Sequence, residues 1–162
     1  MKKISHWIEK LTGMPVWKSM IILFVVSFVI KIATGIIIEI IYPQIENGNA
    51  PDLTKSVFHL FVGISIAPLL ETFAFQMLPI CIINRFISKN IWTQILPSAI
   101  LFGSMHYYSL AYVIVTFFIG IVFALGFYIY QRKLNIKRAF WYIVLLHALH
   151  NALALSLTLL PE

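Results

Sequence analysis

From Val57 to Ile83 the chain stays apolar for long enough to cross a bilayer, and Glu71, near the middle, is the one formally charged residue in the run. Lys55 and Arg85 stand just outside it. An unbroken apolar run of this length must fold as a helix in lipid, because a helix satisfies its own backbone hydrogen bonds there. A carboxylate at hydrocarbon depth costs at least about 2.5–3.5 kcal/mol unless something compensates it. Such a residue marks a functional site by default, and the fold must bring it a partner.

The rest of the composition agrees with a lipid environment. Of 162 residues, 60% are hydrophobic and 11% charged, against about 25% charged in ordinary soluble domains. The length suits one compact helical unit, with no room for a separate soluble domain. The net charge of +6 fits basic loops beside anionic lipid rather than a nucleic-acid partner. Cys81 is the single cysteine, so no intrachain disulfide can form, and its apolar surroundings make it a packing residue.

A span needs about 20 apolar residues. Five stretches qualify: Ser19–Tyr42, Val57–Ile83, a short Ile91–His106, Leu110–Tyr130 and Phe140–Leu160. The sequence therefore predicts an all-α, polytopic transmembrane bundle of about five helices. The first stretch is expected to be a retained anchor rather than a signal peptide, because Lys31 and Glu39 interrupt it and no small-residue cleavage site follows. Residues 1–18 read as a cytoplasmic amphipathic segment, with Ile4, Trp7, Ile8 and Leu11 at helical spacing among lysines. Residues 19–162 read as one transmembrane domain.

Basic residues alternate loop by loop. Lys2, Lys3, Lys10 and Lys18 precede the first span, Arg85 and Lys89 follow the second, and Arg132, Lys133, Lys137 and Arg138 follow the fourth. This places the N-terminus in the cytoplasm and the C-terminus outside. Gly48, Asn49, Pro51 and Asp52 mark an external loop.

Three later positions can meet Glu71. His106 closes the third span, and His147 and Asn151 lie four apart in the fifth, hence on one helix face. His150 lies at the edge of that face. At 1.5 Å per residue, Glu71 is about 20 Å from either end of its helix. On the same count Asn151, His147 and His106 lie about 16, 10 and 22 Å from the cytoplasmic side. Pro68 and Pro79 can bend the second span and reduce that spread. Polar groups also serve as interhelical glue, at about 0.6 kcal/mol each. A glutamate, two histidines and an amide on three different spans favour a site over glue.

These residues resemble the CAAX-protease and bacteriocin-processing family of intramembrane proteases, the Abi or Rce1-like group. The family carries Glu-Glu-x-x-x-Arg, Phe-x-x-x-His and His-x-x-x-Asn/Asp on separate helices. The second and third occur here as Phe102…His106 and His147…Asn151, in order. The first occurs as Glu71-Thr72-Phe73-Ala74-Phe75-Gln76, after Pro68-Leu69-Leu70. The likeness spans about residues 57–157, a protease-like core; the first span and the N-terminal segment carry none of it. Thr72 replaces the second glutamate and Gln76 the arginine, four apart, so a charged pair is exchanged for a neutral one.

The resemblance implies a glutamate-dependent, metal-independent endopeptidase without a cofactor, acting on a membrane-associated peptide or protein. Glu71 and His106 would hold and deprotonate water, while His147 and Asn151 would donate hydrogen bonds to the oxyanion. Thr72 and Gln76 would support the site. Ser65, Ser104, Thr72 and Cys81 have no family role as nucleophile. Three histidines and a carboxylate are also a legitimate zinc set, so zinc is the rival chemistry, although no His-Glu-x-x-His helix exists and Asn151 is a poor zinc ligand. The short form resembles the bacterial branch, which implies a multi-pass protein of the bacterial plasma membrane, with bacteriocin processing or immunity or CAAX-type processing as the role. Two non-enzymatic readings stand beside it: an immunity or binding protein that keeps the polar cluster for packing or partner binding, and a small transporter, disfavoured by the absence of any repeat. The oligomeric state is not encoded in any of these features.

Six residues are left over. Lys31 either snorkels or faces the bundle, where it could gate a substrate. Glu39 reaches the outer interface, and His6 and His59 are interfacial. Gly120 and Ala124 form a small-x-x-x-small pair suited to close helix packing.

Overall fold

The computed structural model describes residues 2–43 and 56–158, and the side chains from His6 onward. Among these residues every regular element is a helix: α1 (Lys2–Gly13), α2 (Val16–Ile41), α3 (Val57–Phe86), α4 (Ile91–Ser104), α5 (Leu110–Lys133) and α6 (Ile136–Thr158). Four of them, α2, α3, α5 and α6, are long and apolar enough to cross a membrane. The protein is an integral membrane protein built as a polytopic helical bundle. The expected third span is the exception in length. It stops at Ser104, and His106 lies in the turn beyond it. The expected external loop around Gly48–Asp52 and the C-terminal Pro161–Glu162 lie outside the described residues, as does the Ile4 side chain.

The ends of these helices follow local chemistry. Asn90 caps α4, its Oδ1 accepting from the Trp92 and Thr93 amides. Ser109 caps α5 through the Tyr112 amide, and Asn135 accepts from the Arg138 amide in the first turn of α6. Arg132 and Lys133 sit in the last turn of α5, where cations favour the helix dipole.

α5 is the axle. Val122, Phe123, Ala124, Phe127, Ile129 and Tyr130 are all buried along it, as expected of a helix that is apolar all round. α4 and α6 pack on its two sides, and α2 lies across it, joined by the Ser19 hydroxyl to the Tyr130 hydroxyl at 3.0 Å. α4 and α5 approach closely because of glycine. A Cβ on Gly103 would stand 2.9 Å from the Phe117 Cβ, and one on Gly120 would stand 3.2 Å from the Ala99 Cα. The outward face of α2 carries exposed Ile21, Val25, Val29, Ile32 and Ile36, an apolar surface suited to lipid. α1 is docked as well as amphipathic: Leu11 is buried in the core, Ile8 packs against that core, and the Lys133 ammonium donates to the Met14 carbonyl.

α3 is continuous but irregular. Two stretches, Val62–Ile66 and Thr72–Met77, are π-helical, and each is followed by a proline within the next two residues, Pro68 and Pro79. Glu71 sits between them. π turns inside α-helices are frequent at functional sites because they re-aim side chains.

Candidate active site

Glu71, His106 and His147 converge. One carboxylate oxygen of Glu71, Oε2, lies 3.5 Å from His147 Nε2 and 3.7 Å from His106 Nε2. The three come from α3, the turn after α4, and α6. His147 is buried at 2% exposure, whereas Glu71 and His106 are only partly covered. All three line a cavity of about 320 Å³ together with Asn151, His150 and Lys31.

The hydrogen bonds fix which imidazole nitrogen carries a proton. His106 Nδ1 lies 2.6 Å from the Phe102 carbonyl, which can only accept, so Nδ1 donates and the neutral ring turns an Nε2 lone pair toward Glu71. His147 Nδ1 is buried with no partner, so its proton belongs on Nε2, beside the carboxylate. His150 Nδ1 lies 2.9 Å from Ser27 Oγ, whose own proton goes to the Phe24 carbonyl at 2.7 Å; Nδ1 therefore donates. The site thus presents one imidazole acceptor and one imidazole donor to the same carboxylate oxygen.

Phe102 organises this pair. Its ring is buried and lies 4.6 Å from the His106 ring and 5.5 Å from the His147 ring, centroid to centroid, while its carbonyl orients His106. Gly120 makes room for it, since a Cβ there would stand 3.0 Å from Phe102 Cδ1. Phe123 flanks His147 at 4.7 Å and Tyr112 flanks His106 at 5.8 Å. Phe123, Tyr112 and Thr116 line the cavity and were not singled out by sequence. All three lie in the uniformly apolar run of α5, where nothing marks one face from another.

Asn151 makes a contact that motif spacing does not reveal. In the first π turn the Ala67 amide reaches back to the Val62 carbonyl. The next residue, Pro68, has no N–H to offer Gly63. Asn151 Nδ2 fills that gap, donating to the Gly63 carbonyl at 2.9 Å. The second irregularity is closed the same way. Pro79 has no N–H for Phe75, four residues before it, and Ser98 on α4 donates its hydroxyl to the Phe75 carbonyl. Glu71 is thus held by α6 on one side and α4 on the other.

Thr72 and Gln76 are both fully buried, but they do not hydrogen-bond to each other. Thr72 Oγ1 and both polar atoms of the Gln76 amide have no partner. In the wider π turn, residues four apart no longer stand directly above one another. Lys31 faces the bundle and the cavity rather than snorkelling. Glu39 is exposed near the end of α2, and His59 is exposed, its Nδ1 2.8 Å from Ser56 Oγ. Among the described residues no group of three or more His, Cys, Asp or Glu side chains is placed to hold a metal ion.

No curated protein matches the chain, and no solved structure does. Residues 53–153 match the family described as type II CAAX prenyl endopeptidase, Rce1-like. The matched stretch holds Glu71, the Phe102…His106 and His147…Asn151 pairs, and every element that positions them except α2. With its membrane-spanning helices and this match over more than half its length, the chain belongs to the Rce1-like family of CAAX-type intramembrane proteases.

Proposed function

We propose that the protein is an intramembrane endopeptidase in which Glu71 and His106 activate water for attack on a peptide carbonyl. The observation that carries this reading is the shared oxygen, Glu71 Oε2, within 3.7 Å of both imidazoles in one cavity. The two acceptors, Glu71 Oε2 and His106 Nε2, need to part by less than about 1 Å to take a bridging water between them. Glu71 and the His106 Nε2 lone pair are both acceptors, so each takes one hydrogen of the same water. That leaves the water's lone pairs free for a substrate carbon.

In the reaction, Glu71 takes a proton as the water oxygen bonds to the carbonyl carbon, giving a tetrahedral oxyanion. His147 Nε2–H and the second N–H of the Asn151 amide donate to that oxyanion, a role in which fixed dipoles contribute strongly. The C–N bond then breaks, and the leaving amine takes the proton back from Glu71. No covalent acyl-enzyme is formed. The substrate is a membrane-associated peptide or protein, and the apolar lining of the cavity suits an unfolded apolar segment. The N-terminus lies in the cytoplasm, the membrane is a bacterial plasma membrane, and the processing serves bacteriocin maturation, immunity or a CAAX-type modification.

A peptidomic comparison of membranes from cells expressing the protein, E71Q or H106A tests this. New peptide termini are expected with the unaltered protein alone, at equal expression of all three. Identical peptide sets would instead favour the binding or immunity reading, in which the polar cluster serves packing.

A further inference from the structure

Among the described residues, Lys31 is the one charged side chain in the cavity besides Glu71 and the histidines, and it comes from α2, which lies wholly outside the matched stretch. Among the described residues no carboxylate lies within 4 Å of its ammonium. Its Nζ stands 5.7 Å from the centroid of the Phe28 ring, which attracts the cation without neutralising it. A lipid phosphate does not answer for it. At 1.5 Å per residue Lys31 lies about 22 Å along α2 from Val16 and about 15 Å from Ile41, well inside the hydrocarbon. Glu71 lies about 21 Å along α3 from Val57, the end that adjoins Ile41 in the chain, so cation and carboxylate stand at similar depth.

The face of α2 around Lys31 is built into the site. Ser27, one turn before it, is buried and accepts from His150 Nδ1 at 2.9 Å, and Phe28 packs on the His150 ring at 4.7 Å. These contacts hold α2 against α6, one turn from His147. An intramembrane cation that faces a shared cavity marks the place of an anionic group.

Resting on the peptidase reading above, we propose that Lys31 is a specificity-determining residue that binds a carboxylate of the peptide substrate. The carboxylate is either the C-terminal one or that of an acidic side chain. Both would form the same charge-assisted hydrogen bond with the ammonium, stronger at this depth than at an exposed surface.

The test uses E71Q protein in detergent micelles, which separates binding from hydrolysis. The probes are three fluorescent six-residue apolar peptides: one with a free C-terminal carboxylate, one with a carboxamide, and one with a carboxamide and a single internal glutamate. The expected result is at least about tenfold tighter binding, 1.4 kcal/mol, of one or both carboxylate peptides than of the plain carboxamide. K31M should abolish that preference and K31R should retain most of it. A preference for the first peptide identifies the chain terminus as the source, and for the third, the side chain. Equal binding of all three, no saturable binding of any, or a preference that survives K31M would overturn the proposal. None of these outcomes depends on hydrolysis, which the peptidomic comparison reads separately.

Discussion

Histidine tautomers do most of the chemical sorting at the level of single residues. His106 and His147 flank one oxygen, yet their other nitrogens meet different surroundings: a carbonyl acceptor for His106 and no partner for His147. Sequence spacing brings both rings to the site but is silent on which donates, because that depends on a backbone carbonyl four residues away. Thr72 and Gln76 illustrate the opposite limit. Their identities suggested a neutral pair, and their spacing was read for an α-helix, whereas the backbone there is π-helical and leaves their polar atoms without partners. A buried unpartnered polar group costs about 1–3 kcal/mol. T72V and Q76M are therefore expected to leave the thermal unfolding midpoint in detergent unchanged or raised. A loss of more than about 1 kcal/mol in either would show that these groups are hydrogen-bonded after all.

Among the elements, α3 carries the account. Hydropathy alone located it, since its observed start, Val57, is the expected one and its end, Phe86, lies one turn beyond Ile83. Its irregularities were legible only as two prolines with unspecified bends. What the prolines do is remove amide donors, and the freed carbonyls of Gly63 and Phe75 recruit Asn151 and Ser98 from the neighbouring helices. Asn151 is thereby a positioning residue for the Glu71 segment as well as a proposed oxyanion donor. N151A is expected to lower stability by about 1–3 kcal/mol, the cost of orphaning a buried carbonyl. P68A returns an N–H within reach of Gly63, so the same N151A change in a P68A background should cost less than half as much. Equal costs in the two backgrounds, measured by thermal unfolding in detergent, would rule out this account of the turn. The depth mismatch expected between the polar groups is also reduced at this scale: α6 begins at Ile136, four residues before the expected Phe140, which sets His147 about 16 Å along its helix rather than about 10 Å.

On the scale of the whole molecule, the apolar pattern was sufficient for the all-helical bundle, because long apolar runs in lipid have one way to satisfy their backbone. It was insufficient for the interior arrangement. α5 is apolar throughout, and its central place shows only in burial. The wall contributed by α2 was half hidden: Lys31 stood out as a charge that could face the bundle, while Ser27 belongs to no motif. The orientation proposed from the loop charges predicts that the α3–α4 and α5–α6 connections face the cytoplasm. Single cysteines at Ser88 and Asn135, in a C81S background, should be modified by a membrane-impermeant maleimide only after intact cells are opened. Labelling of both on intact cells would invert the orientation. The proposed reaction turns on a water held by Glu71 and His106. Its most direct measurement is ¹⁸O incorporation by protein in proteoliposomes, incubated with a membrane-peptide extract in H₂¹⁸O buffer containing excess EDTA. New peptide C-termini carrying one ¹⁸O atom are expected with the unaltered protein, and a fall of about 10²–10⁴-fold in their yield rate with E71Q. Undiminished ¹⁸O-labelled termini from E71Q would contradict it.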